Sequence, residues 1–271
     1  MKGNKKKKVA LVQMRASEDK QANLLRSVDL IAEAASCKAE LICFPEFQMA
    51  FSPAGQSAND LARIAEPVGG DFVTALGRAA KKNHIGIVAS IYEKAGAQVY
   101  DTALILSASG TLSSAYRKLH LYDALDFKES AKLAKGKSIK DPVTTKAGTL
   151  GLLICYDLRF PELSRLLTLN GANVLVAPSA WVQGEMKEEH WQTMVKARAI
   201  ENGSYVIAPD QVGNIYCGRS MAVDPFGIVL ADMGQREGIE IVELDIKRVQ
   251  QVRKTLPLLR NRREDVYTLR Q

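Results

Sequence analysis

The chain has 271 residues, 46% of them apolar and 25% charged, with a formal net charge of +7 at pH 7. That length and balance describe an ordinary globular protein with a deep core, and no apolar run approaches the about 20 residues that would cross a bilayer. The excess positive charge gathers at the ends, in Lys2 and Lys5 to Lys8 and in Arg260, Arg262 and Arg263. No nucleic-acid module accompanies it, so neither nucleic acid nor membrane is an expected partner.

The lysine-rich start has no apolar stretch behind it and does not read as a signal peptide. Residues 1–8 read as a basic tail and residues 9–271 as one domain, without internal repeat or linker. The cysteines Cys37, Cys43, Cys155 and Cys217 form no CxxC pair and have no close histidine, which argues against a zinc site. A cytoplasmic protein would hold them reduced.

Residues 9–14 read as a buried strand, 17–36 as a helix with one apolar face, and 41–44 as a second strand. This is a parallel βαβ unit. Its second strand runs into Pro45-Glu46-Phe47. Glu46 is either a surface carboxylate at a turn or, between Phe44 and Phe47, a carboxylate whose apolar setting makes it a base.

Residues 51–60 read as a loop, 71–83 as a helix, and 85–93 with 99–106 as a hairpin turning at Gly96. Residues 112–117 return as a strand that delivers Lys118, so the sheet is expected to be mixed. Residues 126–142 form a long charged connection that contains Glu129, the kind of segment that often lies over an active site.

Residues 149–154 are an apolar strand ending at Cys155, and Pro161 opens a helix over 161–170. A thiol at the rim of a sheet is either a small core side chain or a nucleophile. Strands follow at 174–177, 204–208, 220–223, 228–231 and 239–244, with helices at 187–202 and 245–254. Asp224-Pro225-Phe226-Gly227 is a hairpin turn.

A reactive cysteine needs a base. His84 reads as structural, whereas His120 and His190 are each available for a Cys-His pair on spacing. No cysteine-protease signature surrounds Cys155. The alternative joins three residues at strand ends. Glu46 takes the thiol proton, Lys118 steadies the thiolate and an oxyanion, and Cys155 attacks a carbonyl or nitrile carbon.

With Phe44-Pro45-Glu46, Tyr116-Arg117-Lys118-Leu119-His120-Leu121 and Ile154-Cys155-Tyr156-Asp157-Leu158-Arg159-Phe160-Pro161-Glu162 in that order, the chain resembles the nitrilase superfamily of carbon–nitrogen hydrolases. Supporting stretches are Ala177 to Trp181, His190-Trp191 with residues 197–202, residues 223–227 and residues 262–267. The resemblance implies an α/β fold, a four-layer α-β-β-α sandwich with two mixed sheets, paired into a homodimer or a higher homo-oligomer.

It also implies a Glu46-Lys118-Cys155 triad with Glu129 positioning Lys118 or the substrate, and an oxyanion hole completed by the Tyr156 N–H. Ala180 and Trp181 would line the pocket. Arg159 would meet a substrate carboxylate, or else form a salt bridge with Asp157 or Glu162. The expected reaction is hydrolysis of a small amide through a thioester, with release of ammonia and no metal or cofactor. Nitrile and N-carbamoyl hydrolysis use the same triad, and a catalytically silent binding module is the reading from another class. An active Cys155 is expected to alkylate well below the ordinary thiol pKa of about 8.5. Asp101, Arg219 and Lys135-Gly136 depart from the family pattern, around rather than on the triad.

Overall fold

Alternation within the apolar runs decides the architecture. The computed structural model describes residues 6–267. In chain order the first half comprises β1 (Lys7–Gln13), α1 (Lys20–Ser36), β2 (Leu41–Cys43), α2 (Ala58–Ile64), α3 (Asp71–Asn83), β3 (Gly86–Ala95), β4 (Gln98–Leu106) and β5 (Leu112–Arg117). Two short strands, β6 (Asp123–Ala124) and β7 (Phe127–Lys128), precede a 3-10 turn over Glu129–Ala131. Then come β8 (Val143–Thr145), β9 (Gly148–Leu152), a 3-10 turn over Cys155–Arg159, α4 (Pro161–Leu169), β10 (Val174–Val176) and α5 (Lys187–Asn202). The last elements are β11 (Tyr205–Ala208), β12 (Val212–Gly213), β13 (Tyr216–Cys217), β14 (Met221–Val223), β15 (Val229–Asp232), β16 (Gly238–Leu244) and α6 (Ile246–Thr255).

Two six-stranded sheets result, in the orders β16-β1-β2-β3-β4-β5 and β15-β14-β11-β10-β9-β8. Strands β1, β2 and β3 are parallel, and β16, β4 and β5 add antiparallel. The second sheet repeats the pattern, with β9, β10 and β11 parallel and β8, β14 and β15 antiparallel. Both sheets are mixed, as expected.

Successive residues of a strand point to opposite faces. Val9, Leu11, Leu41, Cys43 and Val88 face the core shared with the second sheet. Their neighbours Ala10, Val12, Ile42, Phe44, Ile87 and Ala89 pack with Leu30, Ile31 and Leu76 of α1 and α3. The second sheet is covered on its far side by Leu163 and Leu167 of α4 and by Trp191 and Val195 of α5. Strands buried on both faces need apolar residues at every position, which is why they read as continuous runs rather than alternating ones. The layers are helix, sheet, sheet, helix.

Local signals account for the element ends. Asp19 caps α1 by accepting from the Gln21 and Ala22 N–H groups, which places the helix start later than residue 17. His84 ends α3 in the left-handed conformation, a structural role as expected. Pro161 stands at the start of α4 and Asp245 caps α6.

Some features differ from expectation. Residues 51–60 are not loop throughout. Ser57 and Asp60 form a capping box that starts α2, a signal present in the sequence as Ser-x-x-Asp. β1 begins at Lys7, since Lys6 pairs with Glu243 and Lys7 with Glu40 across neighbouring strands. Residues 1–5 of the expected basic tail lie outside the described residues. The connection over 126–142 contains β7 and a 3-10 turn rather than loop alone. Among the described residues, no helix is long and apolar enough to cross a membrane.

Candidate active site

Because the two sheets share one connection pattern, their parallel strands end at a common rim. Glu46 follows β2, Lys118 follows β5, Cys155 follows β9 and Trp181 follows β10.

Each turn has its own support. Phe47 adopts a positive φ of 57°, and its N–H donates to Ser90 Oγ at 3.1 Å. The Glu46 carbonyl accepts from Gln211 Nε2 at 2.9 Å, across the join between the sheets. Lys118 N–H donates to the Asp101 carbonyl at 2.9 Å, which extends the β4–β5 pairing by one residue.

Cys155 has a φ of +42°. A left-handed non-glycine residue costs about 1–2 kcal/mol, so the surroundings must impose it. They do so through Cys155 N–H on the Pro178 carbonyl at 2.9 Å and Ile154 N–H on Asp157 Oδ2 at 2.9 Å. The result is a sharp turn that heads a 3-10 helix, with the Tyr156 N–H in its first turn, where a helix has no internal acceptor.

Lys118 is the centre of the charge network. Its side chain is fully buried, with Nζ 2.6 Å from Glu46 Oε1 and 3.0 and 2.9 Å from the two Glu129 oxygens. Burial alone would pull the ammonium down, but Glu129, Glu46, Cys155 and Asp101 carry it well above the ordinary lysine value. Glu129 is no solvated loop charge. Its Oε2 accepts from the Tyr122 N–H at 2.8 Å, and burial raises its pKa despite Lys118.

Cys155 is 8% exposed, and the Ala180 N–H donates to its sulfur. Burial pushes the thiol well above its ordinary value and Glu46 adds to that, while Lys118 and the Ala180 N–H pull it down. The resting group is therefore a neutral thiol beside a base. The expectation of a thiol alkylating well below the ordinary thiol pKa does not follow from this geometry.

The histidines have other work. His120 Nδ1 lies 2.6 Å from Asp157 Oδ1, and the ring stacks on Phe160. His190 Nδ1 lies 3.3 Å from Arg159 Nη2. The structure thus places both beside residues other than Cys155. The β5 strand ends at Arg117, so His120 and Lys118 do not share a strand face.

A cavity of about 340 Å³ opens over Cys155, lined by Tyr156, Arg159, Ala180, Trp181 and Glu129 among others. The Arg159 guanidinium lies 4.7 Å from the centre of the Trp181 ring. Among the described residues it makes no ion pair with Asp157 or Glu162. Asp157 instead accepts from Tyr116, His120 and Ile154. Trp181 is both core and pocket wall, 3% exposed, with its backbone N–H donating to Asp210 Oδ1 and its indole N–H to the Lys187 carbonyl, each at 2.8 Å.

Lys187 was not expected at the site. It stands in the charged first turn of α5, a pattern that reads as a solvated helix start. It is instead 5% exposed on the cavity wall, with Nζ 2.9 Å from Tyr122 Oη and over the Tyr122 and Trp181 rings. Nothing in the local sequence marks it, because its hydrogen-bond partner Tyr122 comes from a segment 65 residues away.

Comparison with known proteins agrees with this layout. The carbon–nitrogen hydrolase family model matches residues 8–254. A deaminated glutathione amidase of Escherichia coli O157:H7 is 35% identical over 245 residues, covering 90% of this chain and 92% of the relative. A human omega-amidase is 32% identical over 273 residues, covering 97% of each. The solved NitFhit protein of C. elegans superposes with a TM-score of 0.91 at 32% identity, over 97% of this chain and 66% of that one. The chain belongs to the carbon–nitrogen hydrolases of the nitrilase superfamily, an enzyme family that includes amidases.

Proposed function

We propose that this carbon–nitrogen hydrolase cleaves the amide of a small carboxylate-bearing molecule through a thioester on Cys155, releasing ammonia. The observation that carries the reading is the meeting of Lys118 with Glu46 and Glu129 beside a thiol at the floor of the cavity.

Cys155 sulfur attacks the amide carbon as its proton passes to Glu46. The oxyanion lies between Lys118 Nζ and the Tyr156 N–H. The tetrahedral adduct collapses, the C–N bond breaks, and the Glu46 proton leaves with the amine as ammonia. Water then attacks the thioester and gives a proton to Glu46. The C–S bond breaks, and that proton returns to the sulfur as the acid departs. Glu129 holds Lys118 in place throughout.

Lys187 supports an anionic substrate. Among the described residues its Nζ forms no ion pair and meets the Tyr122 hydroxyl and the Tyr122 and Trp181 rings. A ligand carboxylate would supply the counter-charge that this ammonium lacks. Arg159 and Lys132 line the same cavity. Two relatives are named a deaminated glutathione amidase and an omega-amidase, and deaminated glutathione and the omega-amides of dicarboxylates both carry such a group.

The same reading takes the chain as a cytoplasmic homodimer or higher homo-oligomer. Exposed Phe226 and Ile228 flank Gly227, which packs against the exposed Ile200 of α5, and apolar surface of this kind pairs with a second copy. Its four thiols are unpaired, as a reducing compartment keeps them.

The test is ammonia release from a panel of small amides, dicarboxylate monoamides, carbamoyl amino acids and nitriles, with Cys155→Ala alongside. Release from monoamides by the native protein alone is the expected result. Full activity in Cys155→Ala overturns the mechanism. Release only from nitriles or carbamoyl compounds moves the chain to another branch, and silence across the panel favours a binding module.

A further inference from the structure

We infer that Asp101 is a buried neutral carboxylic acid that donates its proton to Glu46 Oε2, and that it is a positioning residue for the base. The inference rests on the proposed role of Glu46.

The argument begins with an excess of carboxyl groups. Asp101 lies on β4 opposite Tyr92 of β3 and is 0% exposed. With Glu46 and Glu129 it makes three carboxyl groups around one cation. The ammonium of Lys118 is committed to Glu46 and Glu129, and Asp101 Oδ2 stands off at 3.7 Å, beyond a hydrogen bond. The sole side-chain donor to Asp101 among the described residues is Ser90 Oγ, a long 3.4 Å from Oδ1.

Asp101 Oδ2 and Glu46 Oε2 are each buried without a donor. Both groups face the same Lys118 Nζ, Glu46 Oε1 at 2.6 Å and Asp101 Oδ2 at 3.7 Å, which sets them side by side. One O–H between them satisfies both orphaned oxygens. Two carboxylates facing each other would satisfy neither, and would add a second unpaired anion to a buried site.

The proton belongs on Asp101. Burial first, then Glu46, push its carboxyl well above the usual range, and Lys118 opposes this only in part. The other titratable groups facing it act in the same sense or are neutral. Glu129 comes from the 3-10 turn after β7 and adds repulsion. Tyr92 of β3 has its hydroxyl buried and unpartnered, and burial keeps it a phenol. Cys155 reaches the pair through Glu46 and Lys118 and rests as the thiol.

The consequence is mechanical. The Asp101 O–H fixes the plane of the Glu46 carboxylate at Oε2, the oxygen that Lys118 does not hold. Glu46 is left to take the thiol proton, and Asp101 keeps its own proton through the cycle. An ionised Asp101 would add negative charge where the thiolate must form.

Infrared spectroscopy of protein labelled with carbon-13 at aspartate side-chain carboxyls tests the assignment. A protonated-carboxyl band should move with the aspartate label, and one component of it should vanish in Asp101→Asn. Turnover should survive in Asp101→Asn to within about tenfold, because the amide still donates. In Asp101→Val it should fall about a hundredfold in kcat with KM little changed. An aspartate band unaffected by Asp101→Asn, or an Asp101→Asn protein as inactive as Cys155→Ala, overturns the proposal. The infrared arm reads the proton whether or not an amide is turned over. A wrong reaction class would instead show as silence in the amide panel.

Discussion

Tyr116 Oη donates to Asp157 Oδ2 at 2.7 Å, and both groups are buried. The bond ties the residue two before Lys118, on the first sheet, to the residue two after Cys155, at the edge of the second. Asp157 also accepts from the His120 and Ile154 N–H groups. One carboxylate therefore sets the angle of the nucleophile turn and its distance from the lysine turn.

Tyr116→Phe is expected to cost about 1.5–3 kcal/mol of stability, because it removes a buried hydrogen bond to a carboxylate and leaves that oxygen short of a donor. Urea unfolding measures the loss. Turnover should fall as well, since the Cys155 turn is no longer anchored to β5. Unchanged stability would mean that His120 and Ile154 suffice to hold Asp157.

Glu46→Gln should separate thiol acidity from catalysis. The Glu46 charge is one of the causes that push the Cys155 thiol up. Removing it leaves Lys118 and the Ala180 N–H acting on the sulfur, so the thiol pKa falls. Iodoacetamide should then alkylate Cys155 at lower pH than in the native protein. Amide turnover should drop by about a hundredfold or more, because no group carries the proton to the leaving amine. Slower alkylation would show that Glu46 activates the thiol even at rest.

The strand-end carboxylate, lysine and thiol were legible because each depends on local pattern, whereas the four layers followed from the family resemblance. Residues 150–154 carry no polar side chain, as a strand buried on both faces requires, and Cys155 ends the run. Helix α2 was missed although its Ser57–Asp60 capping box is local, because the residues around it are small and polar and hide a short helix. The partners of His120, Arg159 and Lys187 were not legible. Their hydrogen-bond partners Asp157, His190 and Tyr122 lie 37, 31 and 65 residues away, and no spacing rule carries that information.

Lys187→Met should raise KM for succinamate and glutaramate by about tenfold to a hundredfold, the worth of a charge-assisted hydrogen bond to a substrate carboxylate. Methionine keeps the unbranched stem between the Tyr122 and Trp181 rings, so packing is largely preserved. The preference for succinamate over butyramide should shrink by the same factor, and Lys187→Arg should restore part of it. An unchanged preference would assign the substrate anion to Arg159 alone.

The stability difference between Asp101→Asn and the native protein should grow with pH. An unfolded aspartate ionises above about pH 3.9, whereas burial keeps the folded Asp101 carboxyl neutral well above that point. Its contribution to stability is therefore complete below the unfolded value. It is lost as pH rises, at up to about 1.4 kcal/mol per unit, until the folded group ionises. Asparagine does not titrate, and Asp210, Glu129 and the thiols titrate in both proteins and cancel in the difference. Urea midpoints at about pH 4 and about pH 7 should show the variant gaining on the native protein by at least about 1 kcal/mol. A difference independent of pH would mean that Asp101 ionises alike in the folded and unfolded chains, which its lack of any charged donor within hydrogen-bond range makes physically costly.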